Sequence, residues 1–260
     1  WNQSCVNVRY TAIAIDEASE NGHVDVLEWW KQSGLELKYT VCAVDQASRH
    51  GLIDVLEWWK HSGLELKYST MAMEYIDNNS PSPNHNYLDV LAWWKDSGLK
   101  LEYTSYVLDY CSSINRIDIL EWWKDSGLEL KYTYWAIDQA SENGYANVLE
   151  WWQKSGLKFE YTIYAMNKSS ENGHINVLEW WKRSGLELKY TVHAIDNASI
   201  GGYIDILEWW KRSGIECKYT NRAMNMAARH GRLPVLKWWV ESGLEIRCTS
   251  YASIKDIIDV

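Results

Sequence analysis

The run Asp25-Val26-Leu27-Glu28-Trp29-Trp30-Lys31-Gln32-Ser33-Gly34-Leu35-Glu36-Leu37-Lys38-Tyr39 decides how the rest of the chain reads. It returns with few changes, so that adjacent tryptophan pairs begin at Trp29, Trp58, Trp93, Trp122, Trp151, Trp180, Trp209 and Trp238. Six of the seven steps between pairs are 29 residues and one is 35. Self-similarity at a fixed period of this length is the signature of a solenoid or array, in which each repeat packs on its neighbours.

Working outward, the full repeats run Thr11–Tyr39, Thr40–Tyr68, Ser69–Tyr103, Thr104–Tyr132, Thr133–Tyr161, Thr162–Tyr190, Thr191–Tyr219 and Thr220–Cys248. Trp1–Tyr10 matches Trp30–Tyr39 slot for slot, and Thr249-Ser250-Tyr251-Ala252 begins a ninth repeat before diverging. The expected organisation is one array over 1–260: a partial repeat at 1–10, eight full repeats over 11–248, and a partial or capping repeat at 249–260. Ends that fall inside a repeat suggest a window cut from a longer array, or a processed chain, because solenoids need polar-faced caps.

Two helices are expected in each repeat, giving an all-α αα solenoid. The first runs from Thr to Gly, as in Thr40–Gly51; Thr is a good N-cap and Gly suits a left-handed C-terminal position. Ala43, Val44 and Ala47 supply a narrow buried stripe at i, i+1, i+4. The second helix carries Val55, Leu56, Trp58 and Trp59 on one broad face, with Glu57 and Lys60 on the wet one. Pro234 stands near its start in the last repeat, where only a first helical turn tolerates proline. Leu64-Glu65-Leu66-Lys67-Tyr68 then alternates with period two, and its five residues read as an extended connector rather than a sheet strand. In the third and fifth repeats the connector charges are swapped, Lys100/Glu102 and Lys158/Glu160, which would set opposite charges beside each other in neighbouring repeats. Such exposed pairs contribute about 0–1 kcal/mol each.

Composition narrows function. The chain has 18 Trp and 17 Tyr against one Phe, and sixteen of the Trp lie in the pairs. A net charge of −9 excludes the basic footprint that nucleic acid requires, and equally disfavours an anionic membrane surface. No apolar run approaches the ~18 residues that span a bilayer. Cys5, Cys42, Cys111, Cys217 and Cys248 occupy five different repeat slots with no metal spacing. An odd, scattered set points to a reducing compartment, with a cytoplasmic location favoured. Cys111 and Cys217 read as small core residues. The sequons at Asn2, Asn78, Asn167 and Asn197 read as chance matches, the last two because Ser is the repeat's usual residue there.

The run Asn21-Gly22-His23 followed by the second helix and Ser33-Gly34-Leu35-Glu36-Leu37 resembles the ankyrin repeat, with Trp-Trp where that family carries Leu-Leu. Ala18-Ser19 falls at the family's Ala-Ala, and Asn143-Gly144, Asn172-Gly173-His174 and His230-Gly231 repeat the turn. The likeness covers all eight repeats and is nearest to the divergent Trp-Trp arrays of fungi and other microbial eukaryotes. Two departures stand out: the period is 29 where ankyrins take 33, and Asp16 and Ala14 replace the His and Pro of the family's Thr-Pro-Leu-His start. The resemblance implies the helix pair and a concave recognition face, but a tight turn in place of the projecting hairpin.

No catalytic constellation is present, and neither a metal site nor a cofactor is expected: the seven His form no ligand pair, and the recurring Asp16, Asp45, Asp109, Asp138 and Asp196 read as helix-surface residues. The informative slots are those that vary. The third slot of the first helix holds Ile13, Cys42, Met71, Tyr106, Trp135, Tyr164, His193 and Arg222; the seventh holds Glu17, Gln46, Tyr75, Tyr110, Gln139, Lys168, Asn197 and Met226. Four residues apart, they share a helix face. Tyr75, Tyr106, Tyr110, Trp135, Gln139, Tyr164, Lys168 and His193 are therefore the expected partner-binding residues, aromatic at their centre as interface hot spots are. The competing reading is that these rings merely cover the first helices. The six-residue insertion within Asn78–Tyr87, with two of the three Pro, is read as loop drift rather than a site.

A non-catalytic protein-binding scaffold is the expected function. The alternatives are a structural array that self-associates end to end, and ligand or glycan binding on the aromatic stripe. The tryptophan pairs themselves are expected to be core.

Overall fold

In the computed structural model, residues 9–74 and 87–249 are described. The expectations for 1–8, for Tyr75, for the insertion and for 250–260 fall outside them. Among the described residues there are sixteen helices and no strand. They divide into two compact bodies, Trp1–Val107 and Leu108–Val260.

In the first body, α1 (Ile13–Glu20) and α2 (Val24–Gln32) form one helix pair, and α3 (Cys42–Arg49) and α4 (Ile53–His61) the next. α5 (Met71–Glu74) and α6 (Tyr87–Asp96) follow, and the boundary falls within α7 (Tyr106–Ser113). The second body continues with α8 (Ile117–Asp125), α9 (Trp135–Glu142), α10 (Ala146–Lys154), α11 (Ile163–Glu171) and α12 (Ile175–Arg183). It ends with α13 (His193–Gly201), α14 (Ile204–Ser213), α15 (Asn221–Arg229) and α16 (Leu233–Glu241). First helices pack on first helices (α1 on α3, α3 on α5, α9 on α11, α11 on α13, α13 on α15), second helices on second helices (α2 on α4, α10 on α12, α12 on α14, α14 on α16), and first on second within a pair, as α3 does on α4 and α11 on α12.

Local chemistry explains the helix limits. The capping hydroxyl accepts from the backbone N–H two residues on, as Thr133 does from Trp135 and Thr162 from Tyr164, both at 3.1 Å. Among the described residues, first helices close on a left-handed residue: Gly144 (φ 82°) in one pair and, where no glycine stands, Asn115 (φ 61°). At Gly144 hydrogen is obligatory for a second reason. A Cβ there would come within 2.8 Å of the His174 ring from the following repeat. Pro234 is the second residue of α16, as expected.

The core is built from Ala, Val and Leu of both helices and from the second tryptophan of seven of the eight pairs. Trp59, Trp94, Trp123, Trp152, Trp181, Trp210 and Trp239 are fully buried. Their indoles do more than fill space. Trp152 Nε1 donates to Ser112 Oγ at 2.9 Å, and Trp59, Trp94, Trp181, Trp210 and Trp239 repeat the bond to Ser19, Ser48, Ser141, Ser170 and Ser199. The Ser112 hydroxyl in turn donates to the Leu108 carbonyl at 2.8 Å, so a serine mid-helix satisfies a buried indole in the following repeat.

The first tryptophan of each pair behaves differently. It meets its partner edge-on, 5.1 Å between centroids for Trp151 and Trp152, and in six pairs its Nε1 reaches back to a glutamate, as Trp151 does to Glu121 at 2.7 Å and Trp180 to Glu150 at 2.8 Å; the slot behind Trp122 holds Ala92. These glutamates were expected on a purely wet face. Their carboxylates instead accept from the next repeat; Lys154 and then Trp180 hold Glu150 below the usual carboxylate range, and Trp238 and then Arg212 hold Glu208 there.

Connectors are extended, as expected, and are tied by side chains rather than by a ladder. Tyr132 packs on Trp152 with centroids 4.7 Å apart, and the Tyr161 hydroxyl donates to the Glu187 carbonyl at 2.7 Å. The expected pairing of connector charges between repeats is corrected. Carboxylate and ammonium close within one connector, at 3.7 Å for Lys67–Glu65 and 2.7 Å for Lys100–Glu102, because residues two apart on extended chain share a face. What does cross between repeats is the lysine over a ring: Lys189 Nζ lies 4.4 Å from the Tyr161 centroid.

Candidate binding surface on the first helices

The recurring aspartate, expected at the surface, is instead the joint between first helices. Asp138 is buried, and its oxygens accept from the Thr162 N–H at 2.9 Å and from the Thr162 hydroxyl. Asp109 does the same for Thr133 at 2.9 and 2.8 Å, Asp45 for Ser69, and Asp196 for Thr220. A helical wheel places this slot beside the buried stripe, and the following repeat's capping turn completes its burial. Removal from water pushes the Asp138 and Asp45 carboxyls above the ordinary aspartate value, against the opposing pull of their hydroxyl and amide donors.

The joint positions the variable slots. Asp109 fixes Thr133, whose hydroxyl accepts from the backbone N–H of Trp135; Asp138 fixes Thr162, which accepts from that of Tyr164. The third-slot side chains stand on pinned backbone and project outward. Ile13, Met71, Tyr106, Trp135 and Tyr164 are all exposed, Trp135 at 51% and Tyr164 at 59%. Cys42, His193 and Arg222 are exposed as well. Seventh-slot residues Tyr110, Gln139, Lys168 and Asn197 are half-buried.

Four of the expected residues come together. Trp135, Gln139, Tyr164 and Lys168 line a hollow of 390 Å³ between α9 and α11, with Tyr134, Asp138 and Glu142. That volume lies near the low end of the ~300–1,000 Å³ range of small-molecule clefts. Tyr106, Tyr110 and His193 do not line it. The polar side chains of its lining are held in place: Gln139 Nε2 donates to Glu142 at 2.9 Å, and Lys168 Nζ lies 3.1 Å from Glu171, which also accepts from Asn197 Nδ2 at 3.0 Å.

Tyr134 and Glu142 were missed by the choice of third and seventh slots. Continuing the same face by three residues reaches the tenth slot, which holds Glu142 and Glu171 and also varies, through Arg49, Ser113 and Ile200. Tyr134 occupies the second slot, which varies from Ala12 to Tyr134 to Asn221.

Among the described residues, no group of three or more His, Cys, Asp or Glu is placed to hold a metal ion. Nor is any of their helices long and apolar enough to cross a membrane. Cys111 is buried as expected, whereas Cys217 is only half-buried. Asn167 is buried and donates to Thr191 Oγ1 at 2.9 Å, so that sequon is closed to a glycan in the folded chain. No protein-family profile matches the chain, and no curated protein matches its sequence.

Proposed function

We propose that the chain is an ankyrin-like solenoid of eight full repeats between Thr11 and Cys248, with partial repeats outside them, and that it is a non-catalytic scaffold binding a protein through its first helices. One observation carries this reading. Tyr134, Trp135 and Tyr164 stand exposed at 45%, 51% and 59% around one hollow, on backbone pinned by Asp109 and by the buried Asp138. Large rigid rings held in place lose little entropy on contact, which is why aromatic residues dominate hot spots. A merely space-filling cover for a helix surface would not need three rings left half in water while Trp152 and Trp181 of the same repeats are fully buried.

The test replaces Tyr106, Tyr110, Trp135 and Tyr164 together with Ala. Far-UV circular dichroism should be unchanged, because all four lie outside the core stripe, and partner capture by the immobilised chain should be lost. Capture equal to that of the parent sinks the reading.

A second reading, end-to-end self-association, draws on α2. Trp29 is 59% exposed and Val26 37%, whereas the corresponding Trp151 and Val148 are 9% and 0%. Sedimentation across a wide concentration range separates the two readings: growth with concentration favours assembly, and a constant monomer removes it.

A further inference from the structure

We infer that the hollow between α9 and α11 receives an arginine side chain of the protein partner, its guanidinium lying against Trp135 and Tyr164 and its charge meeting Glu142. The inference rests on the protein-binding reading above and specifies its chemistry.

Three features of the hollow select that group. Its lining includes the rings of Tyr134, Trp135 and Tyr164, a set of π systems that attract a cation and that a planar guanidinium can stack upon. Its carboxylate is uncompensated: Glu142 accepts from the neutral amide of Gln139, and among the described residues no Lys, Arg or His pairs with it. Its own cation is already neutralised, since Lys168 Nζ sits 3.1 Å from Glu171, and Asp138 is engaged by Thr162. The hollow therefore presents aromatic walls with one residual negative charge.

Other side chains fit less well. An aliphatic or aromatic group would cover Glu142 without giving it a partner, leaving a desolvated carboxylate. A lysine ammonium is a compact point charge that could not lie flat on the rings. Arginine's five donors can meet the free lone pairs of Glu142 while its plane covers the indole. The partner implied is a protein presenting an exposed arginine, and the chain's net charge of −9 favours its approach.

The experiment is an NMR titration of the isotope-labelled full chain, following the Trp135 indole N–H, whose signal is identified by its loss in Trp135→Phe. The probes are acetyl-Gly-Arg-Gly-amide and the same peptide with citrulline, which keeps the shape and loses the charge. The arginine peptide should shift the signal saturably, and both the citrulline substitution and Glu142→Gln should weaken binding by about fivefold or more. Glu17→Gln, at a seventh slot of α1 that does not line the hollow, should change nothing. Equal binding of the two peptides, undiminished binding to Glu142→Gln, or no saturable shift overturns the assignment. The broader reading fails by a different result: it falls when the four-alanine variant captures as well as the parent. The arginine assignment falls alone when capture needs the rings yet is undiminished in Glu142→Gln.

Discussion

Thr162 holds Asp138 with two donors at once, its backbone N–H 2.9 Å from Oδ1 and its hydroxyl on Oδ2. The same hydroxyl accepts from the N–H of Tyr164, so a buried carboxylate in one repeat sets the backbone of an exposed ring in the next. The repeats thus have an architectural joint and a presented surface in direct contact. At Asn167 and Asn225 the sequence substitutes an amide, and the capping N–H still finds an oxygen: Thr191 N–H lies 3.0 Å from Asn167 Oδ1 and Thr249 N–H 3.1 Å from Asn225 Oδ1.

Asp138→Ala leaves two donors of Thr162 without their acceptor in a buried joint, at a cost of about 1–3 kcal/mol. Asp138→Asn keeps an oxygen for the amide, as Asn167 does, and should cost less than half as much. Urea denaturation of the two variants checks the order. Equal losses would mean that packing around Thr162, and not its hydrogen bonds, holds the joint. Because repeat arrays can unfold in parts, the comparison needs coincident transitions by two probes.

The same joint sets a pH dependence with a definite sign. Burial raises the Asp138 and Asp45 carboxyls above their unfolded value, so the folded chain keeps these protons to higher pH than the unfolded chain does. Between the ordinary aspartate value and the raised one, the folded state binds more protons, and their contribution to stability falls as pH rises through that window. Asp138→Asn lacks this titration. Its stability relative to the parent should therefore increase from about pH 4 upward and level off above the raised value. Glu150 and Glu208, lowered chiefly by Lys154 and by Trp238 respectively, act with the opposite sign, but both are solvent-screened and weak. Urea midpoints of parent and variant across the acid range decide it; a relative stability that stays level or declines would refute the burial argument.

Within each tryptophan pair the two members should differ in cost. Trp152 is fully buried, packs on Tyr132 and donates to Ser112, so Trp152→Ala should lose about 3–5 kcal/mol. Trp151 donates to Glu121, which faces solvent and can turn to water when the indole is gone. Trp151→Ala should cost clearly less. Ser112→Ala tests the hydrogen bond alone, and an orphaned indole N–H predicts a loss of about 1–3 kcal/mol. A loss below about 0.5 kcal/mol would show that Ser112 matters only for its size.

The helices, their caps and the buried stripe were legible in the sequence because each follows from spacing within one repeat. Ala43, Val44 and Ala47 repeat at i, i+1, i+4, and Pro234 marks a first turn. What the sequence concealed involves a residue of the next repeat. Nothing on a helical wheel tells that Asp138 meets Thr162, that Ser112 meets Trp152, or that Glu121 meets Trp151; each pair is 24 to 40 residues apart. The near-invariance of all six slots was the available sign, since a solvent-facing Asp or Ser has no reason to recur. Half of the hollow was legible by the same measure. Trp135, Gln139, Tyr164 and Lys168 were found as varying slots, while Glu142 needed one more step along the same face and Tyr134 was passed over as a capping-turn residue.

Thiol labelling offers an independent check on the packing of the first helices. Cys111 takes the alanine slot of α7, is fully buried, and has its thiol pushed far up by that burial, so almost no thiolate exists near neutral pH. Cys42 stands in an exposed third slot of α3. Cys217 is half-buried, and burial raises its thiol as well. Brief alkylation of the native chain followed by peptide mapping should find Cys42 modified first, Cys217 more slowly, and Cys111 slower than Cys42 by at least about a hundredfold, since it must wait for local opening. Denaturant should bring the rates together. If Cys111 reacts in the native chain as fast as Cys42, the alanine-slot stripe is not closed against its neighbours, and the rigid presentation of the exposed rings loses its basis.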